Sequence, residues 1–462
     1  MREERMFVRP FEELQVMEYR SLMQVNEHAQ AEIRGQIPFQ RMKDYVEAGK
    51  ERLWVQAVIV SEGSESILFY GILEEMQMEV KSGLCIMRLL LRSGTSLMDY
   101  EKKTRSFQSG DLTYSELLNA CNSGYDQAAR IMTAARGEAI RRFIMQYQET
   151  DWDFIKRLAG MNHTVVVADC STPGEKYYFG LPDRKETVTA APDEYRTWCD
   201  MEEYASKKAN GLSISPGDTI SCVWESRDIY KLGEWGIIDG KKLYIWKIET
   251  VTKGNELYHT YYMKTRAGLQ TPVTYNASLA GVSLLGRVTD VKEEKIQIEL
   301  YDDENRENAG KRWFPYATVY SSPDGTGWYC MPEKGDQARL YFPSGQETAA
   351  YAAGAYHEEG ADLRTRPECK FWRNREGKEI RLSPDRILIT NNNGTYMELT
   401  DEDGIEIVSA GSISIRAKRT LSVASEDASV ELTAPDRIRL KQGDTEMDLG
   451  GSLRMQGRKI LL

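Results

Sequence analysis

Apolar and polar positions alternate along most of the first hundred residues, the two-residue period of a half-buried strand. In "VNEHAQAEI" the residues Val25, Glu27, Ala29, Ala31 and Ile33 fall on one face. "LWVQAVIV", "SILFYGIL" and "LCIMRLLL" follow as buried strands, separated by Gly and Ser turns. Between 113 and 160 the period lengthens, and "TYSELLNAC" and "TDWDFIKRLAG" predict helices. The second has a start signal, Thr150 as N-cap with Asp153 three residues on, and Gly160 as its expected stop. Phe154 and Leu158 share a face of it, and Asp153 stands four residues before Arg157, the spacing of a local ion pair.

Strands return from 161 to about 275, with "HTVVVADC", "KYYFGL", "LSISPGDTISCVW" and "KLYIWKIETVTKGNELYHTYYMK". The last predicts a hairpin turning at Lys253, Gly254 and Asn255. "AGLQTPVTYNASLAG" reads as a linker into a compact strand-rich stretch, 282 to 345. From about Phe371 the beat shortens. Ile405, Ile413, Leu421, Val430, Ile438 and Met447 each open a three-residue apolar–polar–apolar unit, recurring about every eight residues, and some ten such beats fill the tail.

Such a strand cannot stand alone. Each of its apolar side chains contributes roughly 1.5–3 kcal/mol when fully covered, against roughly 1–2 kcal/mol of backbone entropy for every residue ordered. Two architectures accept the beat. One is a single-chain β-helix with three beats per coil; the other winds three chains round one axis, each supplying a strand to every face in turn. The residues themselves leave both open.

Composition narrows the function classes. The chain has 462 residues and a net charge of −11, which argues against a nucleic-acid-binding surface. Seven scattered cysteines, with no CxxC or Cys/His spacing, fit reduced thiols rather than zinc or a disulfide framework. "MREERMFVRPFEEL" carries no apolar h-region of a signal peptide, and "LCIMRLLL" is too short to span a membrane. The four histidines, His28, His163, His259 and His357, lie far apart in sequence, and GxSxG, P-loop and GxGxxG motifs are missing. The basic stretch "GYDQAARIMTAARGEAIRR" reads as a solvated helix face, and the acidic "YDDENRENAGKR" at 301–312 has no role that the sequence assigns. The expectation is a protein without catalytic, cofactor-binding or metal-binding residues.

Several stretches resemble the VgrG family, the spike proteins of type VI secretion and related contractile injection systems, which are similar to the fused hub and puncturing spike of contractile-tailed phages. They are "LFYGIL" at 68–73, "MQYQETDWDFIKRLAG" at 145–160 and "WYCMPEKGDQARLYFPSG" at 328–345. The most specific piece is Gln146, Tyr147, Glu149, Asp151, Phe154, Arg157 and Leu158. Pro332, Gly335 and Asp336 before "ARLYF" resemble the end of the family's OB-fold, and "CKFWRNREGKEIRL" resembles the start of its β-helical tail.

The resemblance implies a mainly β chain: a first hub β-barrel at 1–112, a helical insert at 113–160 and a second hub β-barrel at 161–280. An OB-fold domain at 281–345, a connector at 346–369 and an intertwined trimeric β-helix at 370–462 would follow. It implies a homotrimer, in which two barrels from each of three chains give six similar units to cap a hexameric inner tube. The trimer core would be Ile405, Ile407, Ile413, Ile415, Leu421, Val423, Val430, Leu432, Ile438 and Leu440. Ile460, Leu461 and Leu462 would dock a PAAR-type tip protein, with baseplate proteins and effector cargo as further partners. Assembly in the cytoplasm without a signal peptide, followed by ejection on sheath contraction, is the expected itinerary. The alternative is a cell-surface or tail-fibre adhesin on a β-solenoid stalk; a carbohydrate-active β-helix would need a longer groove lined with carboxylates.

Overall fold

The computed structural model describes residues 4–61, 64–188, 194–254, 256–357, 364–456 and 459. The chain divides into two compact units, Met1–Glu358 and Glu359–Leu462.

The alternating stretches of the first unit form strands where their period predicts them. Glu4–Arg9, Trp54–Ser61, Ser64–Lys81, Leu84–Arg92, Gln30–Ile37 and Gln15–Gln24 are successive neighbours in one sheet. The sheet continues without a break into Lys241–Lys253, Glu256–Lys264, Ile220–Ser226 and Arg196–Cys199. The join is antiparallel pairing of Gln15–Gln24 with Lys241–Lys253, from Arg20 opposite Val251 to Gln24 opposite Lys247. The two lobes therefore share a sheet while keeping separate cores, one around Phe11, Ile33, Phe69 and Leu89, the other around Trp224, Ile245, Tyr261 and Met263. Ala29, Ala31 and Ile33 are buried as the alternation predicts, whereas Glu27 is exposed beside Asn26, a turn residue with φ 66°. The expected hairpin pairs Lys253 with Glu256 around Gly254, and Asn255 lies outside the described residues.

The helical insert corrects the sequence reading in extent and composition. Tyr114–Asn122 and Asp151–Met161 are helices, but the strands Ala129–Met132 and Ile144–Thr150 lie between them. The stretch read as a solvated basic helix face is thus a strand followed by a turn. A third core, with Phe107, Leu117, Trp152, Phe154, Leu158 and Phe179, binds these pieces to strands that follow the insert. Phe154 and Leu158 are fully buried in that core, on the face they were expected to share. Thr150 caps its helix, its Oγ1 accepting the Asp153 N–H at 3.2 Å, and the helix runs one residue past Gly160.

A closed barrel follows, in the order Ser283–Lys292, Lys295–Leu300, Phe314–Ala317, Tyr351–Tyr356, Gln337–Tyr341. Its last strand lies inside the stretch 346–369 that the sequence suggests is a connector. In "YAAGAY" the large residues, Tyr351 and Tyr356, stand only at the ends, and the fully buried position between them is the small Ala352, so the alternation that marks a strand is weak.

The second unit is not a run of ten equivalent beats. Lys370–Arg373, Glu379–Ser383, Arg386–Thr390, Tyr396–Thr400 and Gly404–Val408 form an antiparallel meander in chain order. Ile438–Gln442, Thr445–Gly450 and Ser452–Gln456 form a second one, and residues 409–437 between them contain no strand.

One buried histidine makes the first unit sensitive to acid. His259 is 3% exposed on Glu256–Lys264, one strand away from the seam of the shared sheet, with Nδ1 2.8 Å from Thr250 Oγ1. Burial lowers its pKa to about 4, against a weak opposing pull from Asp228. The folded state resists protonation while an unfolded histidine titrates near about 6.5. Its contribution to stability is therefore complete above that pH and is lost as pH falls from there toward 4. Melting temperature measured across this window should fall more steeply for the wild type than for His259→Gln, which carries no titrating ring.

Candidate functional site

The histidines show what kind of site to look for. His28 is largely enclosed: Nε2 lies 2.6 Å from Asp99 Oδ2, Nδ1 lies 2.8 Å from Thr95 Oγ1, and the ring stacks on Trp152 at 4.8 Å. Asp99 also accepts the Thr150 hydroxyl at 2.6 Å. Burial opposes its charge, but the hydrogen bonds from His28 and Thr150 outweigh burial and hold the carboxyl below its usual range. The arrangement has the residue types of a hydroxyl–imidazole–carboxylate relay. Thr95 and its neighbour Ser93 are fully buried, so the hydroxyls face packing rather than a substrate. What the network does is fasten the first lobe to the N-terminus of the Asp151–Met161 helix. All seven cysteines are free thiols.

The densest polar chemistry lies where the insert meets the closed barrel. Arg157 is 4% exposed. Its Nε and Nη2 donate to the Glu149 carboxylate, each at 2.9 Å, its Nη1 donates to Glu347 Oε1 at 2.6 Å, and Nη2 also reaches the Met145 carbonyl at 2.8 Å. Burial disfavours every charge here, and it pushes the Glu149 carboxyl up against the pull of Arg157. The two carboxylates more than offset burial for the guanidinium, whose pKa is raised. Asp153, the partner suggested by sequence spacing, instead pairs with Lys156 at 2.9 Å. It faces outward from the helix, while Arg157 faces in.

The same junction gives the acidic loop its role. Asp303 is buried, accepts the Ser106 N–H at 2.9 Å and also accepts the Ser106 hydroxyl. Glu304 accepts the Thr104 N–H at 2.8 Å, its own N–H reaches the Thr104 carbonyl at 2.9 Å, and Asn305 Nδ2 donates to the Ser106 carbonyl at 2.8 Å. These groups occupy the free edge of Lys102–Phe107, whose other edge pairs with Ile144–Thr150. A loop from the barrel thus acts as the missing neighbour strand. Phe143 and Met145, just before the helix, enter the barrel's own core, with Phe143 edge-on to Phe314 at 5.1 Å and stacked near Phe342 at 6.0 Å. Sequence reasoning missed this junction because its partners are far apart in the chain; Glu347 is 190 positions from Arg157.

In the tail, the residues expected to form a trimer core are not covered by their own chain. Ile405 is 66% exposed, Ile413 56%, Leu421 57%, Val423 75% and Leu432 68%. Ile407, Ile415, Val430 and Leu440 are exposed as well, and Ile438 is half-buried. The proposed tip-docking residues Ile460, Leu461 and Leu462 lie outside the described residues.

The junction yields a direct test. Removing Glu347 leaves the buried Arg157 Nη1 without its acceptor while Glu149 still balances the charge, so Glu347→Ala should cost roughly 2–3 kcal/mol in urea unfolding, whereas Asp153→Ala, on the outer face, should cost about 0.5 kcal/mol. Equal losses would mean that the local pair carries the helix.

Residues 52–167 match the phage tail baseplate hub (GPD) family, and residues 284–357 match the type VI secretion system/phage-baseplate injector OB domain. No curated protein sequence matches the chain. Among solved structures, one similar fold is the Escherichia coli c3393 protein, a type VI secretion component with structural similarity to the T4 tail proteins gp27 and gp5. It is 14% identical, with a TM-score of 0.53 over 76% of this chain and 100% of that one. Another is from the Francisella PdpA–VgrG complex in its half-lidded form, 10% identical, with a TM-score of 0.56 over 88% of each chain. At such identities the likeness is one of fold, and the two domain matches agree with it in position and order: the chain carries a region matching the phage tail baseplate hub family followed by one matching the type VI secretion system/phage-baseplate injector OB domain, in a fold similar to these solved structures.

Proposed function

We propose that this protein is the central hub and spike of a contractile injection machine and works as a homotrimer. The observation that carries the reading is the uncovered tail. Nine of the ten expected core side chains are exposed in the single chain, on a backbone whose middle stretch has no strand partner of its own. Exposed apolar rows of this kind are a liability unless something covers them. Two further copies of the same chain would cover them with the same pattern, closing a dry core and pairing the free edges.

The role in this reading is mechanical. Interwound strands resist bending because bending strains the hydrogen bonds of three chains together. The junction around Arg157 suits the same task, since a hub firmly fixed to its OB barrel passes load on without a hinge. The hub lobes would seat on a hexameric inner tube and meet baseplate proteins, six lobes in a trimer matching six tube subunits. A PAAR-type tip protein and effector cargo complete the partner set. Assembly would take place in the cytoplasm and the spike would leave on contraction to puncture a target envelope, with no chemical step of its own.

Light scattering after size exclusion tests the assembly directly. The expected mass is three times the 52.8 kDa of the chain. A monomer with a folded, protease-resistant tail would overturn the reading in favour of a single-chain solenoid.

The register has its own test. Ile413→Asp puts three carboxylates round one axis in a trimer, where burial and like charge both oppose ionisation. It should dissociate the trimer or lower its melting temperature markedly, while Ser414→Asp, on the opposite face of the beat, should be nearly neutral. Equal effects would reject the assigned register.

A further inference from the structure

Two hollows in the first unit meet along one line between the insert and the second lobe. The first, of about 320 Å³, is lined by Arg136, Arg184, Lys242 and Arg266, with Trp235 and one carboxylate, Asp183, among its other walls. The second, of about 420 Å³, shares Leu181 and Arg266 with it and continues past Asn162, Thr164 and Gln270. Together they make a groove with a cationic half and an extension walled by Asn162, His163, Thr164 and Gln270 among small and aliphatic side chains.

Four cations around one hollow are unexpected in a chain with 71 acidic and 60 basic residues. Several exposed cations elsewhere in this unit have carboxylate partners, as in Arg9 with Glu65, Arg88 with Glu32 and Arg92 with Glu74. None of the four has a carboxylate partner among the described residues. Two are held in place by other means: Arg136 Nε donates to the Met132 carbonyl, and Arg184 Nε donates to the Leu232 carbonyl at 2.9 Å. The Lys242 ammonium sits 3.4 Å from the Trp235 ring centroid and 5.3 Å from that of Tyr244. Like charges gathered round one hollow, three of them held in place and none neutralised by a carboxylate, favour an incoming anion.

The shape selects the kind of anion. The cations come from four separate segments and stand round the walls, and the neutral extension offers amide and hydroxyl groups suited to a main chain. We propose that this groove docks an extended acidic segment of a partner protein, its carboxylates in the Arg136–Arg184–Lys242–Arg266 half and its backbone along the Asn162–Gln270 half. The site is independent of the tail and of its oligomeric state.

Fluorescence anisotropy on the full chain, with a fluorescein-labelled peptide of alternating Glu and Ala, tests the proposal. The double variant Lys242→Glu/Arg266→Glu should weaken binding roughly tenfold. The control Lys311→Glu/Lys334→Glu makes the same change in net charge at exposed positions of the barrel, and should leave binding within about twofold. Thermal melts of both variants verify folding, and all four positions are exposed. Absent binding to the wild type, or equal weakening by both variants, overturns the proposal. Displacement of the peptide by inorganic phosphate at equal concentration also overturns it, because the groove would then hold a free oxyanion rather than a polypeptide.

Discussion

A guanidinium taken out of water must be met by opposite charge and by acceptors for its remaining N–H groups, or the fold that buries it is not stable. Arg157 meets that demand with one carboxylate from the strand before its helix and another from the turn before the last barrel strand. Satisfying the charge therefore fixes where the OB barrel sits against the hub. Phe143 and Met145 enter the barrel core on the same side, and the loop carrying Asp303 closes the next edge. A buried ion network is a weak source of net stability compared with apolar packing. Its value here is geometric, since only one placement of the barrel satisfies all three groups.

How much of this the sequence reveals depends on the range of each interaction. Alternation in "LWVQAVIV" and "LCIMRLLL" is a local property, and both are strands. The Thr150 cap and the shared face of Phe154 and Leu158 are equally local and legible. Arg157 was not, because spacing along a helix cannot tell which of two neighbouring acids faces the interior. Asp302 and Asp303 make the same point: adjacent, alike in sequence, and with opposite fates, one exposed and one buried against Ser106. The strand Tyr351–Tyr356 was illegible for another reason. A close-packed position that admits only Ala carries no hydrophobic signal, although it is as much part of the core as a leucine.

The tail shows the opposite case, a pattern that is plain in sequence and left incomplete by the single chain. Its two meanders turn back on themselves, and all but the Pro384–Asp385 turn carry a glycine with positive φ at or beside the reversal: Gly377, Gly394, Gly404, Gly443 and Gly451. Tight hairpins favour that conformation, which glycine adopts without steric cost. From Ser412 to Arg437 there is no glycine at all, while the apolar–polar–apolar beat continues through Ile413, Leu421 and Val430. This stretch has the alternation of strands without the reversals that would let it pair with itself, and in the single chain it forms none. Its backbone donors and acceptors still need partners. The difference between the glycine-punctuated ends and the glycine-free middle therefore separates strands that a chain pairs within itself from a stretch that, in the proposed trimer, would pair with other copies.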